Sequence, residues 1–419
     1  MQFAALRAFV QSIVVILLAA LIERDEMELG DGVSALNFLQ VTLQTSEWTA
    51  DHVAGIASQT LPPIPLITLS QTQPVLPGYD LWDLWPVQLT DGKTADFDGW
   101  TVWIILSAPV LADPEERHKI ARIRMMTEKS GVWRDCGNLY PDGHCPGSRE
   151  WAGSALYDPA TGRLTSFHTA AGRRGEAPTY EQRIFQSSGV LSVTNGAAKV
   201  SDWSTPYESF QSGGAYYLRV TQTEGKPGHI KGFRDPAHFR DPADGADYIL
   251  FTGSLAKSAS NWNGVIGIAK SETGQYSDWQ LLPPIVSADG LCNEQERPHI
   301  VFHGGLYYLF WSSHNKVFAP GGPSGPTALY GMVAQTVTGP YRPLNGTGLV
   351  AGNPAEEPFQ TYSWWVMHDL QVASFIDLWG LSGRDLESDP ALLRSNFGGT
   401  PAPRFRLVLD GDSAQIAAS

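Results

Sequence analysis

The sequence predicts an all-β protein, and three observations carry that prediction. Glycine (42 residues), proline (29) and tryptophan (14) are plentiful, while charged residues make up only 17% of the 419-residue chain. Glycine and proline punctuate strands and are poor in helices. No long helical periodicity runs beyond about residue 45, and what recurs instead is a strand, a tight turn and another strand.

Taken in order, the strand candidates are TVWIIL from Thr101, SALYD and RLTSFHT around the turn Pro159-Ala-Thr-Gly162, and YYLRVT from Tyr216. YILFTG from Tyr248 and VIGIAK from Val265 follow, and then IVF and LYYLFW around His303-Gly304-Gly305. This spacing suits a sandwich, a barrel or a propeller, and periodicity does not choose among them. With no internal repeat or linker, residues from about 45 to 411 read as one catalytic domain, and residues 412–419 as a frayed tail.

Residues 1–30 read as a signal peptide or an N-terminal apolar segment. Phe9 to Ile22 is FVQSIVVILLAALI, preceded by Arg7. Its uninterrupted part, Ile13 to Ile22, is shorter than the ~20 residues that span a bilayer. A basic start and a short apolar run fit a secretory signal, although no A-x-A site precedes Glu23-Arg-Asp-Glu26. The expectation is export to an extracellular or periplasmic space with no stable membrane partner; anchoring by this segment is the alternative.

Lysine and arginine (29) against aspartate and glutamate (43) leave a net charge of −14. Such a surface repels polyanions, which argues against nucleic acid as a partner and is indifferent to a neutral sugar. Cys136, Cys145 and Cys292 have no metal-ligand spacing; the first two either close a small disulfide loop or all stay unpaired. Asn345-Gly-Thr347 is a glycosylation sequon.

Three acidic residues stand in unusual settings. Asp83 lies in Tyr79-Asp-Leu-Trp-Asp-Leu-Trp-Pro-Val-Gln88, framed by tryptophans that suit a sugar ring; the plainer reading is a turn beside core aromatics. Asp235 lies in Gly232-Phe-Arg-Asp-Pro-Ala-His238, where Arg234 would keep it ionised. A second Arg-Asp-Pro, Arg240 to Pro242, reads as an ordinary turn. Glu296 lies in Cys292-Asn-Glu-Gln-Glu-Arg-Pro-His299, and Glu294 would share its side of an extended strand. Like charges that near raise one pKa, which suits a general acid; an exposed acidic turn is the plainer reading.

Together WDLWP, FRDP and EQERP, in this order, closely resemble the levansucrase family of fructosyltransferases, glycoside hydrolase family 68. Glu150-Trp-Ala-Gly-Ser-Ala155, Tyr180-Glu-Gln-Arg-Ile184, Ser312-Ser-His314 and Gln360-Thr-Tyr-Ser-Trp-Trp-Val366 extend the resemblance over nearly the whole domain. The resemblance implies a five-bladed β-propeller with the active site in a central funnel. It implies a retaining enzyme that cleaves sucrose and passes fructose to a growing fructan, an oligosaccharide acceptor or water. Asp83 would be the nucleophile, Glu296 the general acid/base and Asp235 the ionised stabiliser of the transition state. A retaining pair stands about 5–5.5 Å apart, an inverting pair about 6.5–9.5 Å.

By the same resemblance Trp82 and Trp151 would wall the sugar site and Ser154 would hydrogen-bond the nucleophile. Arg234 and Glu294 would hold the glucosyl side, His314 would influence acceptor use, and Tyr362 would join the Arg234–Glu294 network. Calcium-binding members carry an aspartate where this chain has Asn293, so no metal is expected, and the chemistry calls for no cofactor. Gly325-Pro-Thr-Ala-Leu-Tyr-Gly331 also departs from the family pattern, leaving acceptor preference open. An invertase-like hydrolase on the same fold is the alternative, and a non-catalytic sugar-binding propeller the remote one.

Overall fold

In the computed structural model, five antiparallel sheets are arranged as the blades of a β-propeller. The structure describes residues 44–222, 229–271, 274, 276–381, 384 and 390–418. The N-terminal apolar segment lies outside the described residues. Among the described residues, no helix is long and apolar enough to cross a membrane.

Each blade starts at the axis and runs outward. The innermost strands are Tyr79–Gln88, Arg149–Asp158, Phe233–Arg240, Glu296–His303 and Thr361–Val366 for blades I to V. They are buried over most of their length, so their sequences read as nearly continuous apolar runs rather than alternating ones. Successive innermost strands touch, and the fifth also packs against the first, which closes the ring. Blades I and II are further joined by a short parallel pairing, Val87 with Ala155 and Gln88 with Leu156.

The hairpins follow the turn chemistry of the sequence. Arg149–Asp158 pairs with Arg163–Ala171, with Gly162 at φ 70° closing the turn onto Asp158. Glu296–His303 pairs with Leu306–Ser313 through Gly304 and Gly305, both at positive φ as a two-residue hairpin requires. Tyr216 to Thr221 is a correction. It forms no strand, only a bridge from Tyr217 to Leu255, with Val220 O accepting from Gln182 N. Its Tyr217 ring is buried against Phe251 and Phe233, so apolar packing between blades II and III, not sheet pairing, explains its composition.

Both ends of the described chain are tied down. Ser46–Glu47 adds a parallel edge to the outer strand of blade III, and Trp48 packs on Trp311, Phe318 and Tyr330 while donating to Thr347 O. The tail expected to fray from Asp412 instead forms the strand Ser413–Ile416, paired with Phe405–Asp410 of blade V. Asn345 anchors it by donating to Ala414 O and accepting from Ala414 N. The sequon's amide is thereby spent inside the fold. All three cysteines are free, Cys145 and Cys292 buried, so no disulfide joins Cys136 to Cys145.

One irregularity recurs in every blade and builds the site. The innermost strand begins to lose register within its first four residues: between Trp82 and Leu84, Trp151 and Gly153, Arg234 and Ala237, Glu296 and His299, and Tyr362 and Trp365. In four blades a non-glycine residue sits there in the left-handed region: Asp83 (φ 45°), Asp235 (59°), Arg297 (53°) and Ser363 (62°). A bulge re-aims side chains that an unbroken strand would send to alternate faces. Each such residue costs about 1–3 kcal/mol, so the surrounding sheet must hold it in place.

Candidate active site

The bulges turn three carboxylates toward one another. Asp83 stands mid-strand in blade I, not in a turn, and Glu296 opens the innermost strand of blade IV; both keep some exposed surface. Asp235, in blade III, is buried. Burial pushes Asp83 above the ordinary carboxylate value, against Arg297 and the Ser363 hydroxyl, with the Glu296 charge adding to the rise. Burial likewise pushes Asp235 up to about 7; Arg234 opposes it, while the charges of Glu296 and Asp83 reinforce it. The charge of Glu296 thus acts on both aspartates and that of Asp83 on Asp235, as carboxylates near one another do.

Two arginines organise the trio. Arg234 Nη2 donates to Glu294 Oε2 at 2.6 Å and to Glu296 Oε1 at 2.8 Å, and its Nε lies 3.5 Å from Asp235 Oδ2. Arg297 runs beneath the site between the rings of Trp85 and Trp365. It donates to Leu84 O at 2.8 Å, to Ser363 Oγ at 2.6 Å and to Ser363 O at 3.1 Å, linking blades I, IV and V. Asp235 is fixed further by its amide donating to Thr169 Oγ1 at 2.9 Å and by the Thr252 hydroxyl 3.1 Å from Oδ2.

The expected residues divide into those the structure gathers and those it does not. Arg234, Glu294, Glu296 and Tyr362 form one network, with the Tyr362 hydroxyl donating to Glu296 Oε2. The His314 ring stacks on Tyr362 at 3.6 Å, and burial lowers its pKa to about 3, which favours the neutral ring. Trp82 and Trp151 flank the turn Pro114–Lys119: His118 and Arg117 cover the Trp82 ring, and Trp151 Nε1 donates to His118 O. Trp82 is only 1% exposed, whereas Trp151 keeps a partly open face.

Three expectations are corrected. Ser154 does not bond the Asp83 carboxylate; its hydroxyl accepts from His238 N at 3.0 Å, because the blade II strand carries it past the bulge. The hydroxyl that lowers Asp83 against burial belongs to Ser363 of blade V, which also accepts from Arg297. Of the two neighbouring glutamates, Glu294 is the one pushed up, to about 7, chiefly by burial against the pull of Arg234. Burial also works against Glu296, but Arg234 and the Tyr362 hydroxyl outweigh it and hold it below its ordinary value. Asp235 was expected to stay ionised beside Arg234, yet desolvation overcomes that arginine.

Sequence reasoning missed Arg297, which stands inside the quoted motif, and Ser363, inside another. It also missed Arg117 and His118, whose turn carries no motif. The hydropathy of DPEERHK marks an exposed turn, and only its position over Trp82 brings it to the site. Among the described residues no cluster of His, Cys, Asp and Glu has the arrangement of a metal site.

A family model described as Levansucrase/Invertase matches residues 38–261 and 256–418. A levansucrase of Zymomonas mobilis is 34% identical over 396 residues, covering 88% of this chain and 89% of its own. A levansucrase of Pseudomonas savastanoi pv. glycinea is 32% identical over 376 residues, 80% and 82% of the two chains. Among solved structures, an inulosucrase from Halalkalicoccus jeotgali bound to kestose matches with a TM-score of 0.82 and 38% identity, covering 89% of this chain and 95% of that one. The levansucrase from Gluconacetobacter diazotrophicus shares the fold, with a TM-score of 0.75 at 23% identity over 89% and 90% of the chains.

Proposed function

Because the chain belongs to the levansucrase/invertase family and is a fructosyltransferase acting on sucrose, we propose that Asp83, Glu296 and Asp235 carry out that transfer with retention of configuration. The observation that supports this most is the set of register breaks beside three carboxylates close enough for the charge of Glu296 to raise both aspartates.

Cleaving sucrose builds positive charge on the fructosyl anomeric carbon in an oxocarbenium-like transition state. Asp83 attacks that carbon as the bond to glucose breaks, giving a fructosyl ester. Glu296 supplies the proton that the departing glucosyl oxygen takes. In the second step an acceptor hydroxyl gives its proton to Glu296 and attacks the same carbon, releasing Asp83. A growing fructan, a small sugar or water can each be that acceptor.

The electrostatics favour the transition state over the empty site. Asp83 and Asp235 are both raised by burial and by neighbouring carboxylates, so the free enzyme holds them at a cost. Positive charge developing between them relieves that cost, and the groups are already oriented. Asp235 accordingly ionises fully as the fructosyl cation forms. Arg234 and the Tyr362 hydroxyl hold Glu296 below its ordinary value in the empty site, which favours its base form. A sugar hydroxyl that displaces Arg234 or Tyr362 from Glu296 raises its basicity and lets it take up a proton from solvent, giving the acid form for the first step.

Asp83→Asn keeps the shape and removes the nucleophile. Sucrose should still bind, read by calorimetry, while glucose release is lost; glucose released at a comparable rate would remove Asp83 from this role. Following free glucose and free fructose separately in the unaltered enzyme divides the second step. Glucose in excess of fructose measures transfer to sugar, and equal amounts mean that water is the acceptor.

A further inference from the structure

The network of Arg234 and Glu294 has a support that no motif contains. Lys231 lies three residues before Arg234, at the entrance to the innermost strand of blade III. Its ammonium meets three oxygens from two blades: Asn261 O, Asn263 Oδ1 at 2.8 Å and Asn293 Oδ1 at 2.8 Å. Asn263 and Asn293 are buried. Its backbone carbonyl accepts from Gln182 Nε2 of blade II at 2.8 Å and from Arg234 Nη1 at 3.4 Å.

The direction of these bonds matters more than their number. An ammonium only donates, so Asn293 must present its carbonyl oxygen to Lys231. That choice fixes the other end of the same amide. Nδ2 then donates to Ile230 O at 3.0 Å and to Glu294 Oε1 at 3.3 Å. Glu294 turns its remaining oxygen, Oε2, to Arg234 at 2.6 Å. With the amide reversed, Asn293 would set an oxygen against the Glu294 carboxyl, and like acceptors repel. A lysine remote from the acids thus determines which way a buried amide points, and through it where Glu294 and Arg234 stand.

We propose that Lys231 is a positioning residue for sucrose binding, acting through Asn293 on the Glu294–Arg234 pair. This rests on the reading that the pair holds the glucosyl half of the substrate. Lys231→Met keeps the aliphatic stem and removes the donor. The expected result is a rise of about tenfold or more in KM for sucrose with kcat changed much less, since a misplaced binding group costs on this scale. A merely structural loss would leave fewer active molecules, lowering apparent kcat and leaving KM alone; that outcome overturns the proposal.

Asn293→Asp is the second variant, and it guards against misfolding of the first. A carboxylate still accepts from Lys231, so the clamp is kept, but the donor to Glu294 is gone. The KM rise should recur here with little change in Tm, and an unchanged KM overturns the proposal. If Lys231 works through Asn293, the double variant Lys231→Met, Asn293→Asp raises KM no further than the worse single change; multiplied effects overturn it. Calorimetric binding of sucrose to each variant in the Asp83→Asn background separates this proposal from the reading beneath it. Undiminished binding there sinks the role of Lys231 alone, whereas rapid glucose release by Asp83→Asn sinks the catalytic reading and says nothing of Lys231.

Discussion

The tripeptide Arg-Asp-Pro occurs twice within nine residues, at Arg234–Pro236 and Arg240–Pro242, near the two ends of one strand. At the first copy the strand breaks register, Asp235 takes φ 59°, and its carboxyl faces two other acids. At the second, Asp241 closes a turn by accepting from Ala243 N at 2.9 Å and from the Tyr307 hydroxyl at 2.5 Å. Arg240 lies flat against Asp247 through Nε at 2.9 Å and Nη2 at 2.8 Å. On the proposed mechanism, identical residues therefore serve chemistry in one place and folding in the other. The bulge and the company of other carboxylates, not the tripeptide, make the difference.

Conversion of each aspartate to asparagine should break the comparison most sharply. Asp235→Asn removes the charge that faces the developing cation and should lower kcat on the order of a thousandfold. Asp241→Asn keeps an oxygen for both of its donors, so sucrose cleavage should stay within about twofold and only Tm should fall slightly. Initial rates of glucose release for the two variants, beside their melting curves, test this. Comparable losses of rate at both positions would mean that the bulge is not what distinguishes them.

The same pair of sites should respond oppositely to pH. Asp235 is raised to about 7 by burial, so the folded state holds its proton where the unfolded chain, near 4, has lost it. Its ionisation thus costs stability as pH rises from about 4 to about 7. Asp247 is the reverse: burial opposes ionisation, but hydrogen bonds from His238 and Arg240 overcome it and hold it below its ordinary value. It contributes stability above that ordinary value, lost as pH falls through its folded value. Relative to the parent protein, Asp235→Asn should gain Tm as pH rises toward 7, while Asp247→Asn should show a constant deficit over that range that shrinks only as pH falls below about 4. Parallel pH curves for all three proteins would contradict both assignments.

The arginines sharpen the contrast at a smaller scale. Arg234 reaches Glu294, Glu296 and the Lys231 carbonyl from one rigid fork. A lysine ammonium cannot span them, so Arg234→Lys should lower kcat/KM by about a hundredfold. Arg240→Lys loses one of two bonds to Asp247 and should cost roughly 1–3 kcal/mol of stability with unchanged KM. Steady-state kinetics and denaturant melts on the two variants measure both arms.

How far the sequence carries the reader differs between these features for physical reasons. The strands and turns are legible because alternation and Gly-Gly or Pro-x-x-Gly chemistry act locally, as at Gly304–Gly305. The three acids are legible because each stands in an unusual frame and the frames match one family. The blade count rests on that resemblance alone, since strand spacing is the same in a sandwich. The bulges are not legible: Asp83, Asp235, Arg297 and Ser363 adopt left-handed backbone that glycine would signal, and their own identities do not. Tertiary packing imposes it. The partner of Asp83 and the path Lys231–Asn293–Glu294 are long-range facts that no local pattern encodes. The tail misled because polar, small residues read as loose when a single asparagine, Asn345, pairs with them from blade IV.

The contrast narrows finally to single hydroxyls. Ser154 and Ser363 both lie in innermost strands and both are buried, yet Ser363 faces Asp83 while Ser154 accepts the His238 amide. The Ser363 hydroxyl favours the ionised Asp83, which is the form that attacks in the proposed mechanism. Ser363→Ala should therefore move the acidic limb of the kcat/KM profile to higher pH and cost roughly tenfold in rate at that limb, with a smaller loss near neutrality. Arg297 keeps the Ser363 and Leu84 carbonyls as acceptors, so the frame around it should survive. Ser154→Ala strands one backbone donor and should lower stability by about 1 kcal/mol without moving the profile. The pH dependence of glucose release by the two variants decides it: a limb that shifts equally in both would show that neither hydroxyl acts on Asp83 in particular, and that blades II and V share a looser role in holding the funnel.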